Sequence, residues 1–247
     1  MDRRLRFQYS HRMSLLGTIQ QLADFDTALL ANTIGYVDAT PPEEWYMGGS
    51  IQSVTPTLGP TVGVAVTCEL DSSTPGNQVD MEPFLQQLEK IHAMEEPVVW
   101  VAKAIGSRPD HECIMGDGMA KMLYAAGSVG AVTNGGVRDV DGLLSVPYPV
   151  YSKGTVIHHT PIRFCKINQP VEIGGITVSP GDVIHANKEG VIKIPPGCLD
   201  VLTERAIAMR AVEHESHIGN RRSDLEPREA KRRTAAKVKE YGFLRSP

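Results

Sequence analysis

Apolar residues recur along this chain in two rhythms, one helical and one extended. Near the start, Leu15, Leu16, Ile19, Leu22 and Ala23 fall at helical spacing, and Asp26-Thr27 can cap a second short helix through Leu30. Residues 41–60 are rich in Pro, Gly, Ser and Thr and read as a loop with a short strand at 51–54. Residues 62–70 are small and β-branched, as a buried strand requires. A polar turn region over 71–80 precedes a helix over 81–94, with Leu85, Leu88 and Ile91 on one face. Pro97 stops it, and Val98-Val99-Trp100-Val101 is a buried strand. A helical pattern returns over 117–126, with Gly127 as its C-cap, and a short strand over 129–133 closes at Asn134-Gly135-Gly136. Beyond Tyr148 the pattern turns β-rich, with strands over 150–156 and 162–167. A hairpin over 171–178 turns at Gly174-Gly175, and two more strands cover 183–186 and 191–194. A last helix over 199–214 offers Val201, Leu202, Ala206 and Met209 for packing. Helices mixed with strands, then a mostly β second half, predict a layered α/β domain.

Composition narrows the function classes. With 247 residues, 41% hydrophobic and 22% charged, the chain reads as a soluble, cytoplasmic protein with one large domain. No run approaches the ~18 apolar residues of a membrane span. The charged start, Met1 to Arg6, leads into no apolar run, so no secretory signal is expected. A net charge of −4 argues against a general nucleic-acid binder. The four cysteines, Cys68, Cys113, Cys165 and Cys198, form no CxxC pair and read as reduced thiols. Charge divides the chain unevenly. Residues 219–247 hold nine Lys/Arg against four Asp/Glu, whereas the rest of the chain is acidic. This predicts a domain over 1–218 and a basic tail over 219–247, which reads as a solvated helix, a disordered end or an arm on a neighbouring subunit.

The chemistry concentrates between Gly116 and Asp139. A helix of about ten residues spans ~15 Å, and the five-residue strand that follows returns ~17 Å. Asp117, at the helix start, and Arg138-Asp139, just past the strand, therefore lie together at the carboxyl ends of parallel strands, where open α/β sheets bind ligands. The amides of Gly118, Met119 and Ala120 form an anion site at the helix N-terminus. Asp117 and Asp139 offer hard oxygens to Mg²⁺ or Mn²⁺. Arg138 can pair with a carboxylate or an oxyanion. Together these residues describe a site for a small 2-oxo acid held by a divalent metal.

Other candidates carry less. His158-His159, as strand neighbours, would point to opposite faces and could not share one ion. His214-Glu215-Ser216-His217 has its histidines three apart, not the four of a zincin helix. Gly174-Gly175 is a hairpin turn, Cys113 has no evident basic partner, and Asp182 and Glu189 read as turn residues.

Asp117, twenty intervening residues, then Arg138-Asp139 resembles the signature of the 4-hydroxy-4-methyl-2-oxoglutarate/4-carboxy-4-hydroxy-2-oxoadipate aldolases, a family homologous to the regulator of ribonuclease activity A. The resemblance extends to residues 59–67, to Val150-Tyr151-Ser152-Lys153-Gly154, to 174–182 and to 186–191, and covers roughly residues 13–210. It implies a β/β/α swivelling-domain-like fold with a βαβ active-site unit. It also implies that Asp139 binds the metal directly, Asp117 holds it through water, and Arg138 contacts the pyruvyl oxygen and stabilises an enolate. The amides after Asp117 would hold the substrate carboxylate, and Lys153 matches a basic position near the substrate. The implied activity is class II aldol cleavage of a 4-hydroxy-2-oxo acid to pyruvate, with oxaloacetate decarboxylation through the same enolate, by a homotrimer or homohexamer. The alternatives are a non-catalytic regulator that binds a ribonuclease or another protein, and a related lyase or hydratase of a sugar-derived acid.

Overall fold

The computed structural model describes residues 14–159 and 161–244; the expectation about the charged start, residues 1–6, lies outside the described residues. Two helices open the described chain, α1 (Leu15–Leu22) and α2 (Thr27–Val37). Ser14 and Asp26 cap them, accepting from the Gly17 and Leu29 amides at 3.2 and 2.8 Å. Next come β1 (Gln52–Ser53), β2 (Thr61–Asp71), α3 (Glu82–His92), β3 (Val98–Ala104) and β4 (Cys113–Met115). The middle holds α4 (Asp117–Ala126), β5 (Ser128–Thr133), β6 (Gly136–Val137), α5 (Val140–Ser145) and β7 (Val150–Ser152). The second half adds β8 (Arg163–Ile167), β9 (Val171–Ile173), β10 (Ile176–Val178), β11 (Val183–Asn187) and β12 (Gly190–Ile194), then α6 (Leu199–Asn220) and α7 (Pro227–Glu240).

The main sheet runs β1-β7-β5-β3-β2-β11-β12, with β8 on the far half of the long β2. Strands β2, β3, β5 and β7 are parallel, and β1, β8, β11 and β12 run antiparallel to their neighbours. Alternation along the strands sorts side chains to two cores. Val62, Val64, Val66, Cys68 and Leu70 of β2 join Trp100 of β3 and the helices on one face. Ala65, Val99, Val101 and Val132 meet Val171, Ile173, Ile176 and Val178 of the β9–β10 hairpin on the other. Hairpin, main sheet and helices are the β/β/α layers that the resemblance implies.

Three local features differ from the sequence expectations. Strand 150–156 ends at Ser152, where Gly154 takes a positive φ of 133°. The stretch after Asn134 holds β6 and α5, which no periodicity announced. Helix α6 continues through Asn220, past the expected end at 214 and across the 218/219 division. Beyond it, α7 lies along α6 of its own chain. Lys237 and the Tyr241 hydroxyl reach Glu215 at 3.0 and 2.7 Å. Phe243, buried, packs on Tyr36 (ring centroids 5.3 Å apart) beneath the Arg205 guanidinium. Among the described residues no helix is long and apolar enough to cross a membrane.

Candidate active site

Two short parallel strands build the site. Strand β4 lies beside β6, and the Arg138 amide donates to Met115 O at 3.0 Å. Both strands end on the same side. One runs through Gly116 into α4, and the other runs through Arg138 and Asp139 into α5. Asp139 adopts a left-handed conformation (φ 58°, ψ 45°), uncommon for a residue with a side chain and concentrated at functional sites. Glycines let both carboxylates settle against backbone. A Cβ on Gly116 would stand 2.4 Å from Asp139 Oδ2, and one on Gly142 would stand 2.5 Å from Asp117 Cβ.

Each carboxylate has one cationic partner. Arg138 Nε lies 3.3 Å from Asp139 Oδ2, while its Nη1 donates to His158 O at 3.4 Å. Lys121 Nζ, one helical turn along α4, reaches Asp117 Oδ2 at 2.6 Å. That hydrogen-bonded ammonium holds the Asp117 carboxyl below the usual carboxylate range, with smaller help from the Gly118 amide and the Arg138 charge. Burial pushes the Cys113 thiol up, against a nucleophilic role.

Asp117, Gly118, Met119, Arg138 and Asp139 line one cavity of about 490 Å³. Its remaining wall is largely apolar, from Val79, Met81, Met115, Met122 and Ile162. A second, more open cleft of about 480 Å³, lined by Val140, Asp141 and Gly142, also reaches Asp117 and Asp139. The two carboxylates thus stand on a ridge between two clefts.

Two residues of the expected set fall elsewhere. The Ala120 amide already donates to Gly116 O at 3.2 Å, as the first hydrogen bond of α4, so the amides free to meet an anion precede it. Lys153 Nζ donates to Pro109 O at 2.7 Å and pairs with Asp110 at 3.0 Å; it ties down the 105–112 loop and does not line the cavity. The histidines differ from expectation in their placement. They lie in irregular chain beyond β7, not in a strand, and both line the cavity. Sequence reasoning also missed Gly142 and the apolar wall. Met119 and Met122, three apart on one helix, were the available signal for that wall.

The donor set can be tested against the implied metal. Among the described residues, no three His, Cys, Asp or Glu converge as a ligand cluster. A closed zinc site needs four such groups, whereas Mg²⁺ commonly takes one or two carboxylates and keeps water. Asp117 and Asp139 fit Mg²⁺ or Mn²⁺ on that basis.

Over 102 residues the chain is 34% identical to protein DlpA of Legionella pneumophila, which covers 40% of this chain and 17% of DlpA. Over 94 residues it is 31% identical to a Halalkalibacterium halodurans protein named "Putative 4-hydroxy-4-methyl-2-oxoglutarate aldolase", covering 38% of this chain and 45% of that protein. The chain therefore matches less than half the length of either relative. In fold it is similar to Streptomyces coelicolor RraAS2, described as an unusual member of the RNase ES inhibitor RraA protein family. The TM-score is 0.65 at 18% identity, over 81% of this chain and 96% of that one. The family model for RraA-like proteins, described as Aldolase/RraA, matches residues 38–193, and on that match the chain belongs to the RraA-like family.

Proposed function

We propose that this chain is a divalent-metal-dependent carbon–carbon lyase. It cleaves a 4-hydroxy-2-oxo acid to pyruvate and a second oxo compound, and it decarboxylates oxaloacetate by the same route. One observation carries the reading: Asp117, Arg138 and Asp139 line a single cavity where β4 and β6 end. The aldolase name of the Halalkalibacterium relative supports it. A regulator of the same fold would not need two carboxylates and an arginine around one cavity.

Asp139 would hold the cation directly and Asp117 through water; bound there, the cation supplies Lewis-acid polarisation of the 2-oxo group. The N–H groups of Gly118 and Met119, at the positive end of α4, take the substrate 1-carboxylate. Arg138 directs its guanidinium at the oxygen that gains charge as the carbon–carbon bond breaks, so its attraction is greatest in the transition state. Asp117, kept ionised by Lys121, orients the water that removes the C4 hydroxyl proton. Lys153 acts at one remove by fixing the 105–112 loop. We propose a homotrimer or homohexamer in the cytoplasm as the working assembly.

The test is pyruvate release from a panel of 4-hydroxy-2-oxo acids with Mg²⁺. Wild type should release pyruvate, and both excess EDTA and Asp139→Ala should reduce release to background. Full activity in EDTA contradicts the reading.

A further inference from the structure

A second cavity opens on the helical side of the molecule, between α2, α6 and α7, and shares no lining residue with the cavity of Asp117 and Arg138. Its volume, about 550 Å³, is ordinary for a small-molecule site. Independently of the lyase reading, we infer that this cavity binds an organic cation, an alkylated ammonium that also carries a hydroxyl.

A buried polar group there lacks a partner. Ser216 lines the cavity at 9% exposure, and its hydroxyl makes no hydrogen bond among the described residues. Such a group costs free energy until something bonds it, and a ligand hydroxyl recovers that cost. The opposite wall is aromatic. The Trp45 and Tyr46 rings stand 5.8 Å apart at 75° and make a corner. Its backbone is fixed, since Trp45 Nε1 donates to Thr40 O at 3.2 Å and Trp45 O accepts from the Lys193 amide of β12 at 2.7 Å. Tyr46 is 49% exposed, a surface that a ligand would cover. Electron-rich ring faces of this kind attract ammonium groups.

Charge decides the sign of the ligand. Among the described residues that line the cavity, Glu213 is the one carboxylate, and none is Lys or Arg. Glu213 Oε1 accepts from Asn32 Nδ2 at 2.8 Å, a neutral donor that leaves the charge uncompensated. Lys237, beside the lining residue Val238, turns instead to Glu215 and Glu240, both at 3.0 Å. His217 is the other lining group that can gain a positive charge, and it is exposed. The side chains of Met209, Val212 and Val238 supply no strong acceptor. A primary ammonium would leave N–H groups unpaired against them, whereas methyl groups on the nitrogen pack there.

Titration calorimetry on the full chain tests this at pH 8, where imidazole groups are neutral, with Mg²⁺ present. Choline is the probe. Tetramethylammonium lacks its hydroxyl, and 3,3-dimethylbutan-1-ol is its uncharged isostere. Choline should bind about tenfold or more tighter than the alcohol and about fivefold tighter than tetramethylammonium. Ser216→Ala should bring choline to the affinity of tetramethylammonium. Tyr46→Ala and Glu213→Gln, at partly exposed positions, should each weaken choline about tenfold at an unchanged melting temperature. Oxalate should leave choline binding unchanged, because the two cavities are separate. No binding of choline, equal binding of the alcohol, full affinity in both Tyr46→Ala and Glu213→Gln, or displacement of choline by oxalate each overturns the inference. Absent choline binding together with an assembly that dissociates in Tyr46→Ala would assign the cleft to a second copy of this chain and also overturn it.

Discussion

Two carboxylate settings, at Glu112 and at the pair Asp117 and Asp139, show opposite uses of the same group. Glu112, buried, accepts from the Ser72 amide at 3.0 Å, from the Ser72 hydroxyl, and from the Ser73 hydroxyl at 2.9 Å. Its own backbone carbonyl accepts from the Gly136 amide at 2.9 Å. Every partner is a fixed neutral donor, and the result is a knot that locks the end of β2 to the β4–β6 pair. Asp117 and Asp139 each have one cationic partner, Lys121 or Arg138, and face two clefts. A carboxylate satisfied on all sides inside the fold is scaffolding. One held by a single side chain at a cavity wall can exchange that partner for a ligand.

Breaking the scaffold side should have the largest effect. Glu112→Ala leaves two buried donors, the Ser72 amide and hydroxyl, and the half-buried Ser73 hydroxyl without this acceptor and should cost about 3 kcal/mol, read as a lower midpoint in urea unfolding. Gly106→Ala should act through the same knot, because its Cβ would overlap Glu112 Oε1. An unchanged midpoint in both variants would dissolve the distinction.

Breaking the ligand side should leave the fold alone. Arg138→Lys keeps the charge but loses the planar fork, and kcat/KM for pyruvate release should fall about a hundredfold at an unchanged melting temperature. Normal turnover in this variant would move Arg138 to the scaffold.

The smallest effect sharpens the scaffold side again. His185 is fully buried, with Nδ1 3.0 Å from the Thr27 hydroxyl and Nε2 3.2 Å from Leu22 O. Burial pushes its pKa down to about 4. Below the ordinary value near 6.5, the unfolded chain binds a proton that the folded chain does not. Stability is therefore full above that value, falls as the pH drops toward 4, and loses no more below it. Between pH 7 and pH 5 the loss should be about 2 kcal/mol, and His185→Gln should remove it. Equal pH dependence in both proteins would contradict the buried neutral state.

The fold was largely legible because periodicity reports burial. Strand β2, β3, α4 and the β9–β10 hairpin stand where apolar spacing and turn glycines placed them. The pairing of Asp117 with Arg138-Asp139 was legible too, because a βαβ unit returns the chain to the level it left. The 105–116 stretch was not. Its β4 strand is three residues long and is held by the Glu112 knot, which reaches forty residues back to Ser72. The histidines were misplaced because Gly154 ends β7 early and removes the strand alternation they were assigned. The apolar wall draws Val79 and Met81, Met119 and Met122, and Ile162 from three separate segments, and no local pattern joins them.

The central claim is that this cavity stabilises a pyruvate enolate, and oxaloacetate tests it most directly, since its decarboxylation needs no base. The measurement is pyruvate formation from oxaloacetate with Mg²⁺, corrected for the metal-only rate, in wild type and Asp139→Ala, with and without oxalate. The account predicts catalysis by wild type that oxalate inhibits competitively, as a planar mimic of the enolate, and none by Asp139→Ala. Wild-type and Asp139→Ala rates that both match the metal-only background would contradict it.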